Sequence, residues 1–403
     1  MPKAHFPQYR SARHGIELFA GTLLEHARRA GVEVPSDCGG LGKCGRCVVR
    51  IDRGAECLNQ KTEREHARRL APGERLACQA RIVNPVEDVT VFVKETGRYS
   101  IVTDTIETDD VPLEPSVRRD GQRVLHASGE ELGRCEGAVY GLALDVGTTT
   151  LALQVVDLED GRIIATSART NPQMSYGNDV ISRIGYTMQH GDGLRALQSA
   201  VVEAVNEELE RLESQHGELS KHIFDAVIVG NSTMRDLFFG HDVSSLGVIP
   251  FEPTDTGPVE VRADALGLRI RPRAHVYGAA LIGGHAGADA LADVMACRLH
   301  ESDGISMVID IGTNGEVVLG NKHRMMSASC AAGGAYEGAS VTCGSGAMEG
   351  AISNVWISDG HVTYETIGGK PPVGVCGSGL IDLLAELLRS GHMSTKARIG
   401  EDF

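Results

Sequence analysis

Aromatic residues are scarce in this 403-residue chain, at 4% of positions with a single Trp. That scarcity argues against a surface that stacks nucleic-acid bases and against a carbohydrate platform, while leaving room for a nucleotide pocket. No run of 18 apolar residues occurs, and the start, MPKAHFPQYRSARHG, lacks the apolar segment of a signal peptide. Neither membrane spanning nor export is expected, so the ten Cys are read as thiols or metal ligands of a cytoplasmic protein rather than as disulfides. Positive charge is short overall, with a formal net charge of −15, but not at the front. Residues 1–100 hold 17 Lys and Arg against 12 Asp and Glu, and the remainder holds 22 against 42. A nucleic-acid partner is not expected for the larger, acidic part.

What is present falls into segments. A chain of this length exceeds one ordinary core, so two or three domains are expected. TLLEHARRAG carries apolar positions at helical spacing and ends in Gly31, with Pro35 beyond as a stop. CVVRID, ERLACQARI and VEDVTVFV read as strands, giving a compact α+β module over residues 1–94. Residues 95–137 are polar, with little periodicity, and read as a linker or a small connecting element. From Val139 the texture is glycine-rich α/β, with strands alternating with helices such as ALQSAVVEAVNEELERLES. A first lobe is expected over 138–300 and a second over 301–403.

CGGLGKCGRC, residues 38–47, packs three cysteines among four glycines and two cations. Cys38, Cys44 and Cys47 follow C-x5-C-x2-C, and Cys78 in RLACQA stands further on as a fourth thiolate. An iron–sulfur cluster needs thiolates and also needs small residues, so that backbone N–H groups reach its sulfurs; the glycines give that access. The plant-type [2Fe–2S] spacing is C-x4-C-x2-C with a distant fourth Cys, one residue shorter in the first gap. A closed zinc site is the alternative, although zinc sites usually pair two C-x2-C units. Cys57 competes with Cys78 as fourth ligand. Its setting, DRGAECLNQ, is polar and turn-like, whereas Cys78 follows Leu76 in a strand-like stretch, so Cys78 is preferred. Cys297, Cys330, Cys343 and Cys376 have no partner at ligand spacing and are expected to be small buried residues.

GLALDVGTTTLALQVVDL and SMVIDIGTNGEVVLG are one phrase written twice: an apolar strand ending in Asp, then x-Gly-Thr, two polar residues and a second apolar strand. Such self-similarity points to two related lobes. The tip suits phosphate: Gly lets backbone N–H groups approach an anion, Thr adds a hydroxyl, and Asp holds Mg²⁺ or its water. The candidate residues are Asp145, Gly147, Thr148 and Thr149 in the first hairpin, and Asp310, Gly312, Thr313 and Asn314 in the second. Asp179 is read as a helix cap rather than a water-orienting carboxylate. The turn at Gly377 and Gly379 reads equally as an anion contact or as a tight helix start, and the Gly/Ala-rich stretch 329–352 as cleft lining or close packing.

On the cysteine run, residues 1 to about 94 resemble a [2Fe–2S] ferredoxin domain with the longer first gap. With the two hairpins, NPQMSYGNDVISRI and VIVGNSTM, the chain is similar to the reductive activators of corrinoid proteins. The resemblance implies a β-grasp ferredoxin domain joined to a duplicated, ribonuclease H-like ATPase of the acetate kinase, sugar kinase, Hsc70 and actin type. It implies ATP and Mg²⁺ at the Asp145 and Asp310 turns, a [2Fe–2S] cluster on Cys38, Cys44, Cys47 and Cys78, and an electron passed to Co(II) of a corrinoid protein to restore Co(I). A low-potential donor such as a ferredoxin or a reductase would stand upstream, and a homodimer is compatible with it. The pattern departs from the family after Gly379, where no glycine-rich adenosine phrase follows before Phe403, so an incomplete second lobe is expected. A ferredoxin-fused sugar or acid kinase and a non-catalytic nucleotide-binding redox protein are the other readings.

Overall fold

The computed structural model describes residues 2–7, 14–32, 34, 36, 38–43, 45, 47–68, 70–93, 113–177, 179–312, 314–331, 343–358 and 360–399. Cys44, Thr313 and residues 332–342 of the stretch 329–352 behind the second hairpin lie outside the described residues.

The N-terminal domain is a five-stranded sheet with one helix laid on it. Its elements are β1 (Lys3–His5), β2 (Ile16–Glu17), α1 (Leu23–Arg29), β3 (Val48–Arg53), α2 (Glu63–His66), β4 (Glu74–Leu76) and β5 (Val89–Val93). The order β2-β1-β5-β3-β4 pairs β1 with β5 in parallel and the rest antiparallel. Thr22 and Glu25 close a capping box on α1, and Gly31 at φ +65° ends it, as the sequence pattern requires. Leu23, Leu24 and Ala27 then face Val49, Leu76, Val89 and Val91 in the core. Strand β4 is shorter than ERLACQARI suggested: it stops at Leu76, and Ala77–Gln79 form a turn that carries Cys78.

The segment read as a linker contains a small sheet, β6 (Val117–Asp120), β7 (Arg123–His126) and β8 (Glu131–Arg134), an antiparallel meander. Val117, Val124 and Leu132 bury one face against Phe224 of the following domain. Apart from Leu125, the other positions are Arg, Asp, His, Glu and Gly, which hid the strands from a hydrophobicity reading.

The middle domain is built on β9 (Tyr140–Val146), β10 (Thr150–Asp157), β11 (Ile163–Thr170), α3 (Val180–Gln189), α4 (Gly193–His216), β12 (Ile223–Val229), α5 (Ser232–Phe239), β13 (Val259–Arg262), α6 (Ala263–Leu266), β14 (His275–Gly278) and α7 (Ala288–Ala296). Its sheet runs β11-β10-β9-β12-β14-β13, an antiparallel meander extended by the parallel strands β12 and β14. Helix α4 lays Leu197, Val201, Val205, Leu209 and Leu212 into the core at helical spacing. The meander recurs as β15 (Ser306–Ile311), β16 (Asn314–Asn321) and β17 (Arg324–Ala331). A last sheet holds β18 (Ala351–Ser358), β19 (His361–Thr366) and β20 (Gly374–Val375), on which α8 (Gly377–Arg389) packs. Gly379 presses against the Ile352 carbonyl, so close packing accounts for that glycine. Among the described residues, no helix is long and apolar enough to cross a membrane.

Candidate functional site

Two sites emerge, one of sulfur and one of carboxylates. In the first, Cys38 is half-buried and its sulfur accepts a hydrogen bond from the Lys43 N–H at 3.3 Å. Cys47 and Cys78 are buried, with their sulfurs 3.3 Å apart. Two thiolates on one tetrahedral metal with bonds of about 2.3 Å stand about 3.8 Å apart, so this pair fits a common ion with little adjustment. The hydrogen bond with the Cys47 thiol, helped by Gln79 and the Gly42 N–H against the cost of burial, brings the Cys78 thiol down to about 6. Gly42 adopts φ +71°, and a Cβ there would lie 2.6 Å from the Gln79 amide nitrogen. The left-handed backbone favours glycine there, with the Gly42 N–H turned to the Cys78 sulfur. Cys57 is buried elsewhere in the core, its thiol donating to the Glu87 carbonyl at 3.5 Å. Of the remaining cysteines expected to be buried, Cys376 is, while Cys297, Cys330 and Cys343 are exposed; the expectation fails for those three.

The two hairpins share a form but not a register. The first closes Val146 on Leu151 around residues 147–150, so that Asp145 stands opposite Ala152. The second closes Ile311 on Gly315, one residue tighter, and Asp310 stands opposite Glu316. Cross-strand partners share a face, so the shift places two carboxyls side by side. Asp289 and Asp293 add two more from one face of α7, whose first turn is fastened to the Gly230 carbonyl beside Asn231.

Burial raises all five acids, and neighbouring carboxylates add to it at four of them. Asp145 opens onto the cleft yet is walled by protein; desolvation, then the charges of Asp289, Asp310 and Asp293, push it up to about 7. Desolvation with the same three neighbours brings Glu316 to about 7, while desolvation with Asp310 and Asp293 brings Asp289, and desolvation with Asp310 alone brings Asp293, to about 6. Desolvation also raises Asp310. Among the described residues none of the five joins a salt bridge, and no three acids converge at direct metal-ligand distance. A cleft of this kind fits a divalent cation that keeps several waters and takes its remaining ligands from a phosphate, the habit of Mg²⁺.

Thr148 is the most enclosed of the first hairpin's candidates. It is only 4% exposed, its hydroxyl accepts from the Asn231 side chain at 2.9 Å, and its carbonyl accepts from Arg183, so it anchors the turn from inside. Gly147, Thr149 and Asn314 remain half-buried and Gly312 exposed at the hairpin tips. Asp179 caps α3 by accepting from the Ser182 N–H at 2.8 Å, in line with the capping role. The acids absent from the sequence reading, Asp289, Asp293 and Glu316, had a signal: two Asp four apart in GADALAD, and a Glu within an otherwise apolar repeat strand.

Three known domain families match the chain. Residues 15–83 match the 2Fe-2S iron-sulfur cluster binding domain, 140–302 the RACo middle region, and 304–403 the C-terminal domain of RACo, the ASKHA domain. The chain is 28% identical to the corrinoid activation enzyme RamQ of Eubacterium limosum, across 89% of its own length and 66% of the relative's. It is 25% identical to the [Co(II) methylated amine-specific corrinoid protein] reductase of Methanosarcina barkeri, across 63% and 51%. The chain thus spans less than two thirds of the length of these curated relatives. The solved reductive activator for corrinoid, iron-sulfur protein superposes on the whole chain and 75% of its own, with a TM-score of 0.66 and 30% identity. The chain therefore belongs to the RACo family of corrinoid activators, a 2Fe-2S ferredoxin domain followed by a RACo middle region and an ASKHA domain.

Proposed function

We propose that this chain uses Mg·ATP to drive the one-electron reduction of a corrinoid protein, returning its cobalt from Co(II) to Co(I). The observation that carries the reading is the union, in one chain, of a thiolate cradle at Cys47 and Cys78 with a five-carboxyl cleft flanked by two glycine-tipped hairpins. A bound [2Fe–2S] cluster supplies a one-electron donor, at about −400 mV in plant-type centres. Each 59 mV of uphill transfer to a lower-potential acceptor costs about tenfold in equilibrium constant, which gives an ATPase its purpose here.

Cys38, Cys44, Cys47 and Cys78 would hold the cluster, with the N–H groups of the glycine loop turned to its sulfurs. Gly147, Thr149, Gly312, Thr313 and Asn314 would cradle the phosphates, and Thr148 would fix the first turn through Asn231. Asp145 and Asp310, with Asp289, Asp293 and Glu316 behind them, would hold the hydrated cation and orient water toward the terminal phosphate. The partners are a corrinoid protein and an upstream low-potential donor, in the cytoplasm. In the test, Asp310→Ala should keep the visible spectrum of the cluster and lose ATP-dependent cobalt reduction. Unchanged reduction would remove the ATP assignment, and phosphate appearing on a small metabolite would favour a kinase.

A further inference from the structure

Among the described residues, a guanidinium of the ferredoxin domain docks on the middle domain. Arg28 of α1 lies 4.5 Å from the ring centre of Tyr176 and 5.3 Å from that of Tyr186, and its Nη2 donates to the Ser175 carbonyl. The two rings meet edge to face at 5.0 Å, so the cation completes an aromatic cage. Gly39, next to Cys38, presses on the same turn. It adopts φ +62°, and a Cβ there would stand 2.5 Å from the Tyr176 carbonyl oxygen. Arg28 is also close enough to Cys78 for their charges to interact. Beside these contacts the domains part, leaving a cleft of about 840 Å³ lined by Phe19, Arg29, His190 and Glu203 among others. A junction between domains that each have their own core can open without unfolding either.

The other end of that turn is tied to the first hairpin. The Asn171 side-chain amide donates to the Gly147 carbonyl at 2.8 Å and its backbone N–H to the Thr149 carbonyl at 2.7 Å. Arg183, wholly buried, donates to the Thr148 carbonyl, to Gln173 Oε1 at 3.2 Å and to the Gly177 carbonyl at 2.9 Å. Tyr176 closes the turn by donating its N–H to the Gln173 carbonyl at 2.9 Å. Residues 171–177 thus touch the hairpin at one end and the cysteine loop at the other.

The direction of coupling follows from the peptide units. The Gly147 carbonyl and the Thr148 N–H belong to one planar amide, as do the Thr148 carbonyl and the Thr149 N–H. An anion accepting from those N–H groups polarises the same amides and strengthens their carbonyls as acceptors for Asn171 and Arg183. Phosphate on the outside of the hairpin therefore stiffens the turn on the inside, and with it the Tyr176 platform. We propose that Arg28 is a positioning residue that seats the cysteine loop on this platform, so that nucleotide at the hairpin tightens the docking of the ferredoxin domain and its release loosens it. The proposal rests on the reading of the hairpin as a phosphate site.

Hydrogen exchange on the full, cluster-loaded protein with and without Mg·AMP-PNP tests it. Nucleotide should slow exchange at residues 145–150 and, by about fivefold, at 38–43. Arg28→Ala should keep the first effect and lose the second; Tyr176→Ala should do the same, while Tyr176→Phe, which keeps the ring, should retain both. Iron and sulfide content establishes that each variant is folded, and the Tyr176 pair decides the matter if Arg28→Ala does not hold its cluster. Protection at 145–150 with none at 38–43 in the parent, or protection at 38–43 surviving both alanine variants, overturns the coupling and leaves the ATP site standing. No protection at 145–150 overturns the ATP reading and the coupling with it.

Discussion

The sulfur atoms of Cys47 and Cys78 stand 3.3 Å apart at the end of β4, brought together because that strand stops at Leu76 and turns. Cys78→Ser should remove the visible absorption of the reconstituted cluster or shift it strongly. Cys57→Ser should keep the absorption and cost about 1–3 kcal/mol, since it puts a hydroxyl into an apolar core. Absorption spectra with thermal unfolding of both variants check this. A cluster lost in Cys57→Ser and kept in Cys78→Ser would reverse the ligand assignment.

Glu316 makes the carboxylate cleft sensitive to pH. Desolvation, reinforced by Asp289, Asp310 and Asp293, holds it at about 7, whereas an unfolded chain titrates it near about 4.3. The native state thus holds the proton more tightly. That contribution to stability is whole below about pH 4 and is lost as pH rises through about 7. Without nucleotide, the melting temperature should fall between pH 5 and pH 8. Glu316→Gln should flatten that fall, by on the order of 1–3 kcal/mol, and Mg·ATP should flatten it in the parent. Parallel curves for parent and variant would show that the cleft bears no such strain.

Legibility in the sequence followed distance along the chain. CGGLGKCGRC declared a metal centre because three of its thiolates are near neighbours, and the two hairpins declared themselves through period-two strands flanking Gly-Thr. The β6–β8 sheet stayed hidden because each four-residue strand buries little more than one apolar side chain. Glu316 stood out by letter in the repeat strand, but its place opposite Asp310 rests on a register difference of one residue, which the letters do not reveal. Asp289 and Asp293 reach the site only because α7 starts against Gly230. The burial of Thr148 was not legible, since it depends on Asn231, far off in sequence.

Asn231 has two tasks that one pair of substitutions separates. Its Oδ1 caps α5 by accepting from the Met234 N–H at 3.0 Å, and its Nδ2 donates to the Thr148 hydroxyl at 2.9 Å. Asn231→Ala should lose both, costing about 1–2 kcal/mol in stability along with ATPase activity. Asn231→Asp keeps the cap but has no donor for Thr148. Its melting temperature should stay near the parent's while kcat/KM for ATP falls on the order of tenfold, the effect of a loosened phosphate turn. Equal ATPase activity in Asn231→Asp and the parent would mean that the turn needs no such anchor.

Glu65 supports the cluster domain from behind Cys78. Its side chain is buried and accepts from Arg75 Nε at 2.7 Å, from the Leu76 N–H at 3.0 Å and from the Thr62 N–H at 2.9 Å, so one carboxylate fixes the start of α2 and the end of β4. Desolvation opposes its charge, but the bonds from Arg75, Thr62 and Leu76 prevail and hold it below the usual carboxylate range. Its contribution is therefore present at neutral pH and fades as pH falls through that lowered value. Glu65→Ala leaves Arg75 buried without its carboxylate, a change that costs about 3–5 kcal/mol. Glu65→Gln should cost less, because it can still accept from the two backbone N–H groups. The consequence for function lies two residues further on: with the Leu76 N–H released, the turn carrying Cys78 loses one of its anchors. Cluster loss on mild acidification or dilution should then quicken in the order parent, Glu65→Gln, Glu65→Ala, followed by the decay of visible absorbance. An Ala variant that loses stability yet keeps its cluster as long as the parent would show that the cradle is held by the glycine loop alone.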